Sequence, residues 1–239
     1  MSLPFPYRAV PAVLAGALTA LLAACTPSTA AGAAVPASVP AATPPAVVTP
    51  AAAPAPAPAA PAPAPAPVVS TLSIPAAGVT GLRVVPYEGT TDDVAGTRIQ
   101  DLGAAASPYG KQGGVGPGQV GNFLVTAHRM SAGGPLGDLP AVGPGDTVLV
   151  TVGEVVYTYE ITTTRKTSFR SERSLSEQRA AVPGAPGAAP TQAMITISTC
   201  ATPEDHAQGN FWKDAQGNPE HRIDKVGVLR TTSAAVPAG

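Results

Sequence analysis

Three residues of this chain have the types and settings that acyl transfer requires. Met194-Ile195-Thr196-Ile197-Ser198-Thr199-Cys200 is a short β-type run that ends on a thiol. Upstream, Asn122-Phe123-Leu124-Val125-Thr126-Ala127-His128-Arg129 repeats that arrangement and ends on an imidazole. Downstream, an arginine, Arg222, opens the apolar run His221-Arg222-Ile223-Asp224-Lys225-Val226-Gly227-Val228-Leu229. A side chain at the mouth of a strand is held rigidly yet still meets a substrate. A nucleophilic thiol, a proton carrier and a permanent cation are together the parts of a cysteine acyl-transfer site.

Competing residues sort by setting. His206 lies among Pro203, Glu204, Asp205 and Gly209, a loop composition that predicts a solvated imidazole. His221 adjoins Arg222, and neighbours in a strand face opposite ways, so only one of the two faces Cys200. Arg129 directly follows His128 and points away from it if the strand continues. A guanidinium suits an oxyanion because it stays charged and offers several donors. Thr199, Thr126 and Tyr109 are second-rank candidates, for each of which a structural role is the better expectation. The rival reading of Cys200 is a buried structural thiol.

The elements that must position these groups read as strands. Leu72-Ser73-Ile74-Pro75 and Leu82-Arg83-Val84-Val85 are split by a Gly-containing turn. Asp146–Val152 and Val155–Thr162 flank Gly153-Glu154, which predicts a two-residue hairpin. Further strands are expected at Phe123–Ala127, Ile195–Thr199 and Lys225–Leu229. Single helical turns are expected at Gly134–Leu139 and Leu175–Ala180, and a mobile loop at Ala181–Pro190. Many short strands with Gly/Pro turns indicate a mainly β fold, a barrel or a sandwich.

Only part of the 239 residues is expected to form that fold. Residues 1–25 read as an export signal: Arg8, an apolar run from Ala9 to Ala24, then Leu22-Ala23-Ala24-Cys25. This ending resembles a bacterial lipobox, with Cys25 as the lipidated residue; the alternative is a retained membrane anchor. At about 1.5 Å per residue the apolar run covers roughly 24 Å, short of the roughly 30 Å hydrocarbon core. Residues 26–67 are an uncharged Ala/Pro-rich stretch without aromatics, which predicts a disordered, extended stalk spanning at most roughly 130 Å. Residues 68–235 make one domain. A net charge of −1 and 12% charged residues leave no electrostatic footprint for nucleic acid. Of the two cysteines, Cys25 belongs to the lipobox, so Cys200 is expected to be an unpaired exported thiol.

The domain resembles sortases, the cysteine transpeptidases of Gram-positive cell surfaces. The resemblance is carried by Ile74-Pro75-Ala76-Ala77-Gly78-Val79, by Thr126-Ala127-His128-Arg129 with Gly134-Pro135-Leu136-Gly137-Asp138-Leu139 and Gly145-Asp146, and by Ile197-Ser198-Thr199-Cys200. Gly116-Pro117-Gly118-Gln119-Val120-Gly121-Asn122-Phe123 looks most like the class E sortases of actinobacteria. The resemblance spans about residues 70–230 and departs from the family in two places, the lipobox-like end and the long segment Ala201–His221. It implies a sortase-type closed β-barrel of about eight strands. It also implies catalytic Cys200, His128 and Arg222, a thioester intermediate and no cofactor or metal. The donor would be a C-terminal sorting signal of Leu-Ala-x-Thr-Gly or Leu-Pro-x-Thr-Gly type, cut between Thr and Gly. The acceptor would be an amine on a peptidoglycan precursor, with the enzyme moored through its N-terminus at the extracytoplasmic face of the membrane.

Two other readings compete. An L,D-transpeptidase or other cysteine-dependent wall hydrolase also pairs Cys and His, but Cys200 is followed by Ala201-Thr202-Pro203 with no arginine close behind. A non-catalytic wall-binding lipoprotein would carry Cys200 as an inert, packed thiol.

Overall fold

The structure is a computed structural model that describes residues 67–235. The expected export signal, Cys25 and all but the last residue of the expected stalk lie outside the described residues. Eight strands close into a barrel in the order β1-β2-β3-β4-β7-β8-β6-β5. In chain order they are β1 Ser70–Ile74, β2 Val79–Glu88, β3 Ala105–Tyr109, β4 Gly121–Thr126, β5 Thr147–Val152, β6 Val155–Ser168, β7 Ala193–Cys200 and β8 His221–Ala234. Three short helices, α1 Val94–Asp101, α2 Glu172–Arg179 and α3 Thr202–Ala207, fill the longer connections. The mainly β, closed barrel of eight strands agrees with the architecture that the motifs implied.

Local chemistry explains the framework. β5 and β6 pair antiparallel from Thr147↔Glu160 to Val152↔Val155, closed by Gly153 at φ 54, a conformation that costs glycine nothing. Gly118, at φ 73, lets the turn before β4 lie against Tyr157, whose ring would be 2.2 Å from an added Cβ. The Gly118 amide then donates to the Tyr159 hydroxyl at 2.7 Å. Burial pushes that phenol up to about 12, so it remains a neutral acceptor. Leu72, Phe123, Val125, Ile161, Ile195 and Ile197 are among the side chains filling the barrel.

β4 is buried along its whole length, with antiparallel β3 on one side and parallel β7 on the other. Its polar Asn122 is fully engaged: Oδ1 accepts from Thr196 Oγ1 at 2.8 Å, and Nδ2 donates to the carbonyls of Gln178 and Ala180. Gln178, at the end of α2, in turn donates to Ser198 Oγ and Asp224 Oδ1 and accepts from Thr91 Oγ1. This buried network clamps α2 across β4, β7 and β8, the three strands that carry the site.

Several elements exceed the expected ones. β6 and β8 each run 14 residues, because threonine-rich stretches such as Thr162–Thr164 continue the ladder without apolar alternation. α1, β3 and α3 were not expected. The helical turn expected at Gly134–Leu139 falls instead at Leu139–Ala141, as a 3-10 turn. The turn expected at Leu175–Ala180 belongs to α2, which begins at Glu172 under a Ser171 cap.

Candidate active site

The strand ladder brings the three expected residues together. Cys200, the last residue of β7, pairs with Arg222 on antiparallel β8. Directly opposed residues of an antiparallel pair share one face of the sheet, so thiol and guanidinium project to the same side. On the other flank, β4 pairs in parallel with β7 up to Thr126↔Ser198. Two more residues at that register bring His128 level with Cys200. The alignment outlasts the strand because Ala127 N–H donates to the Ser198 carbonyl at 3.2 Å and Thr199 Oγ1 donates to the Ala127 carbonyl at 2.9 Å. Thr199 thus does the structural work expected of it, and Thr126, buried, donates to the Ala106 carbonyl.

A cleft of about 360 Å³ opens here, lined among others by Cys200, His128, Arg129, Asp101, Lys213 and Asn218. His128 Nε2 lies 2.8 Å from Asp101 Oδ1, at the last residue of α1. Arg222 is only 1% exposed and does not line the cleft. Its Nε donates to Asp92 Oδ2 at 2.8 Å, Nη1 donates to the carbonyls of Pro219 and His221, and its Cζ stands 4.4 Å from the Phe169 ring centroid. Nη2 is buried and has no partner. A buried donor left unpaired costs about 1–3 kcal/mol, a penalty that an incoming acceptor would remove.

A family model of the sortase domain matches residues 72–215, more than half of the chain, and takes in both His128 and Cys200. The chain belongs to the sortase family. Sortases are cysteine transpeptidases, and Cys200 is a free cysteine at the expected strand end. Among solved structures, the sortase domain is similar to the SrtA sortase from Actinomyces oris, at 21% identity over 70% of this chain and 81% of that one (TM-score 0.52). It is similar to a mutant of sortase E from Streptomyces avermitilis, at 24% identity over 69% and 89% (TM-score 0.50). It is also similar to sortase E1 from Streptomyces coelicolor, at 19% identity over 72% and 94% (TM-score 0.52). At these identities the likenesses establish the fold. No curated protein matches the chain.

The electrostatics of the sortase site are mixed. Burial pushes the Cys200 thiol above its usual range; Arg222 pulls it down, Asp92 pushes it up, and Arg129 adds a smaller downward pull. Burial also opposes the charge on Arg222, but Asp92 and Cys200 outweigh it and hold the guanidinium firmly protonated. His221 and Arg222 diverge as strand alternation requires: His221 Nδ1 meets buried Asp205 at 2.7 Å, while Arg222 meets Asp92. His206 is exposed on α3, as a solvated imidazole should be.

The condition set for Arg129 is not met. β4 ends at Thr126, so the alternation that would turn Arg129 away from His128 no longer applies. Arg129 lines the same cleft instead, pairs with Glu204 and donates to the Cys200 carbonyl at 3.4 Å. The hydrogen bond from Arg129 holds the Glu204 carboxyl below its usual range. Sequence reasoning also missed Asp92, Asp101 and Phe169. The one available signal was Asp92-Asp93 before Val94, a helix N-cap pattern that Asp93 fulfils by accepting from Gly96 N–H at 2.8 Å.

Proposed function

We propose that this sortase cleaves a C-terminal Leu-Ala-x-Thr-Gly or Leu-Pro-x-Thr-Gly-like signal between Thr and Gly and passes the acyl product to an amine of a peptidoglycan precursor. The observation that carries this reading is the register of β4, β7 and β8, which aligns His128, Cys200 and Arg222 across three adjacent strands. The Cys200 thiol gives its proton to His128 as Sγ attacks the threonine carbonyl carbon. The oxyanion accepts hydrogen bonds from Arg222 Nη2 and nearby backbone N–H groups. Collapse breaks the C–N bond, His128 protonates the departing glycine amine, and a thioester remains on Cys200. The acceptor amine attacks that thioester, His128 takes its proton, and the new amide forms as Cys200 Sγ leaves. Asp101 faces the imidazolium that exists while His128 carries the proton.

The likeness of the Gly116–Phe123 stretch to class E sortases favours alanine over proline at the second position of the signal. The Streptomyces coelicolor sortase E1 structure holds a tripeptide in its active site, which suits a cleft of this kind as a peptide site. We place the enzyme at the extracytoplasmic face of the membrane, moored by a lipid on Cys25, with residues 26–67 as a stalk. The test is incubation with Leu-Ala-x-Thr-Gly and Leu-Pro-x-Thr-Gly peptides and an amine, read by mass spectrometry. A ligated product ending at threonine is expected, more of it from the alanine peptide. Cleavage at another bond, or no ligation of either peptide, would overturn the assignment.

A further inference from the structure

Asp92 has no direct part in the chemistry above, yet it is tightly held beside the site. It is 5% exposed and holds φ 57, the left-handed region that non-glycine residues rarely enter and that aspartate and asparagine tolerate best. Every polar atom of its side chain is spoken for. Oδ2 accepts from Arg222 Nε at 2.8 Å and Oδ1 accepts from Gln100 Nε2 at 2.6 Å. Its backbone carbonyl accepts from Thr97 Oγ1 and from Asn218 Nδ2, the latter in the segment between α3 and β8. Backbone strain kept in place by so many contacts is a feature that functional sites retain.

The partner of this carboxylate is the other half of the observation. Arg222 is buried, its Nε edge is taken by Asp92, its Nη1 by two carbonyls and one ring face by Phe169, and only Nη2 is left without a partner. We infer that Asp92 is a positioning residue that fixes Arg222 by its Nε edge, so that the unpartnered Nη2 is oriented in advance for the oxyanion formed at Cys200. This rests on the reading of Arg222 as the oxyanion donor. A guanidinium held by one edge presents its free donors without reorganisation as charge develops, which is where such groups contribute most. Asp92 has a second consequence. The charges that act on Cys200 are Arg222 from β8, Arg129 from the segment after β4 and Asp92 itself, with His128, Asp101 and Lys213 also lining its cleft. Asp92 offsets part of the pull of Arg222 on the thiol, so the cation is available to the oxyanion without making Cys200 a resting thiolate.

The variants that test this are Asp92→Asn, Arg222→Lys and the two combined. Asparagine keeps the shape, the tolerance for φ 57 and one acceptor for Arg222 Nε; it removes the charge that strengthens that bond and turns an NH2 towards Gln100, whose amide must flip to accept it. Single-turnover acylation by Asp92→Asn should fall on the order of 10²-fold, the cost of a misplaced catalytic group, with KM little changed. The midpoint of the pH profile for Cys200 alkylation should move down, because the offsetting charge is gone. A purely structural lesion would lower the melting temperature and raise alkylation at every pH without moving that midpoint. The double variant should lose no more than Arg222→Lys alone, since both act through one guanidinium. Wild-type acylation by Asp92→Asn with a crippled Arg222→Lys would overturn this inference and leave the oxyanion assignment standing. Multiplicative losses in the double variant would overturn it too. Wild-type acylation by Arg222→Lys would instead remove the oxyanion assignment and the inference with it. If Asp92→Asn does not fold, Gln100→Met withdraws the donor to Asp92 Oδ1 and reads the same coupling. A loss of roughly tenfold that vanishes in the Arg222→Lys background supports the role, and a loss that persists there refutes it.

Discussion

Replacing Asp101 with asparagine removes the charge facing His128 and keeps the side chain's shape. The two side chains meet at 2.8 Å, with His128 13% exposed and Asp101 60% exposed, so solvent screens the pair heavily. At the dielectric of bulk water, two unit charges at this separation interact by about 1.5 kcal/mol, which is the appropriate scale for so open a carboxylate. That interaction exists only while His128 is an imidazolium, which is the case in the acylation transition state. Since about 1.36 kcal/mol corresponds to a tenfold change in rate, Asp101→Asn should slow single-turnover acylation roughly tenfold. Its melting temperature should hardly move, because an exposed ion pair contributes about 0–1 kcal/mol to stability. Stopped-flow acylation with a fluorogenic sorting peptide measures the effect at low and high salt. At about 1 M salt, where the screening length falls to about 3 Å, the wild type should slow towards the variant. A loss beyond roughly 10³-fold would refute the reasoning, since no screened charge supplies so much and Asp101 would have to handle protons itself. An unchanged rate would refute it as well.

The remaining predictions concern the supporting network, the thiol and the tether. Gln178→Ala removes three side-chain hydrogen bonds and leaves buried Asp224 Oδ1 without its donor, so about 3 kcal/mol of stability should be lost, read as the denaturant midpoint at constant slope. A loss below about 1 kcal/mol would show that the network does not hold α2 to the strands. Because burial favours the neutral thiol, Cys200 alkylation should rise through a midpoint above the ordinary thiol value of about 8.5, and a rate already at its plateau at pH 7 would contradict this. Cys25→Ala should abolish lipid attachment and leave acylation at Cys200 intact, measured as the mass of the mature N-terminal peptide. A mature wild-type chain that still begins near Met1 would refute the tether.

What the sequence made legible follows from range. The strands that carry Cys200 and Arg222, and the strand that leads into His128, are continuous β-type runs, and the paired positions fall where local alternation places them. β3 escaped notice because Ala105-Ala106-Ser107-Pro108-Tyr109 has small residues and a proline, and earns its place by parallel pairing with β2. α1 escaped because Val94-Ala95-Gly96-Thr97-Arg98-Ile99-Gln100-Asp101 shows only weak apolar periodicity, and with it went Asp101 and the turn that presents Asp92. The bond from Asp92 to Arg222 spans 130 residues, a distance over which no local pattern speaks. α3 did leave a trace, in Pro203 near its start and Glu204 and Asp205 in its first turn, the composition of a helix N-terminus rather than of a loop. Arg129 reaches the cleft because β4 stops at Thr126, three residues earlier, so strand alternation does not decide which way it faces.

The most direct measurement of the central claim is the intact mass of the protein after mixing with a Leu-Ala-x-Thr-Gly peptide in the absence of an acceptor amine. The aligned Cys200, His128 and Arg222 predict an adduct equal to the peptide fragment ending at threonine, located on Cys200, released by hydroxylamine and absent from Cys200→Ala. Cleavage of the peptide by a folded Cys200→Ala variant, or an adduct on any other residue, would contradict the account.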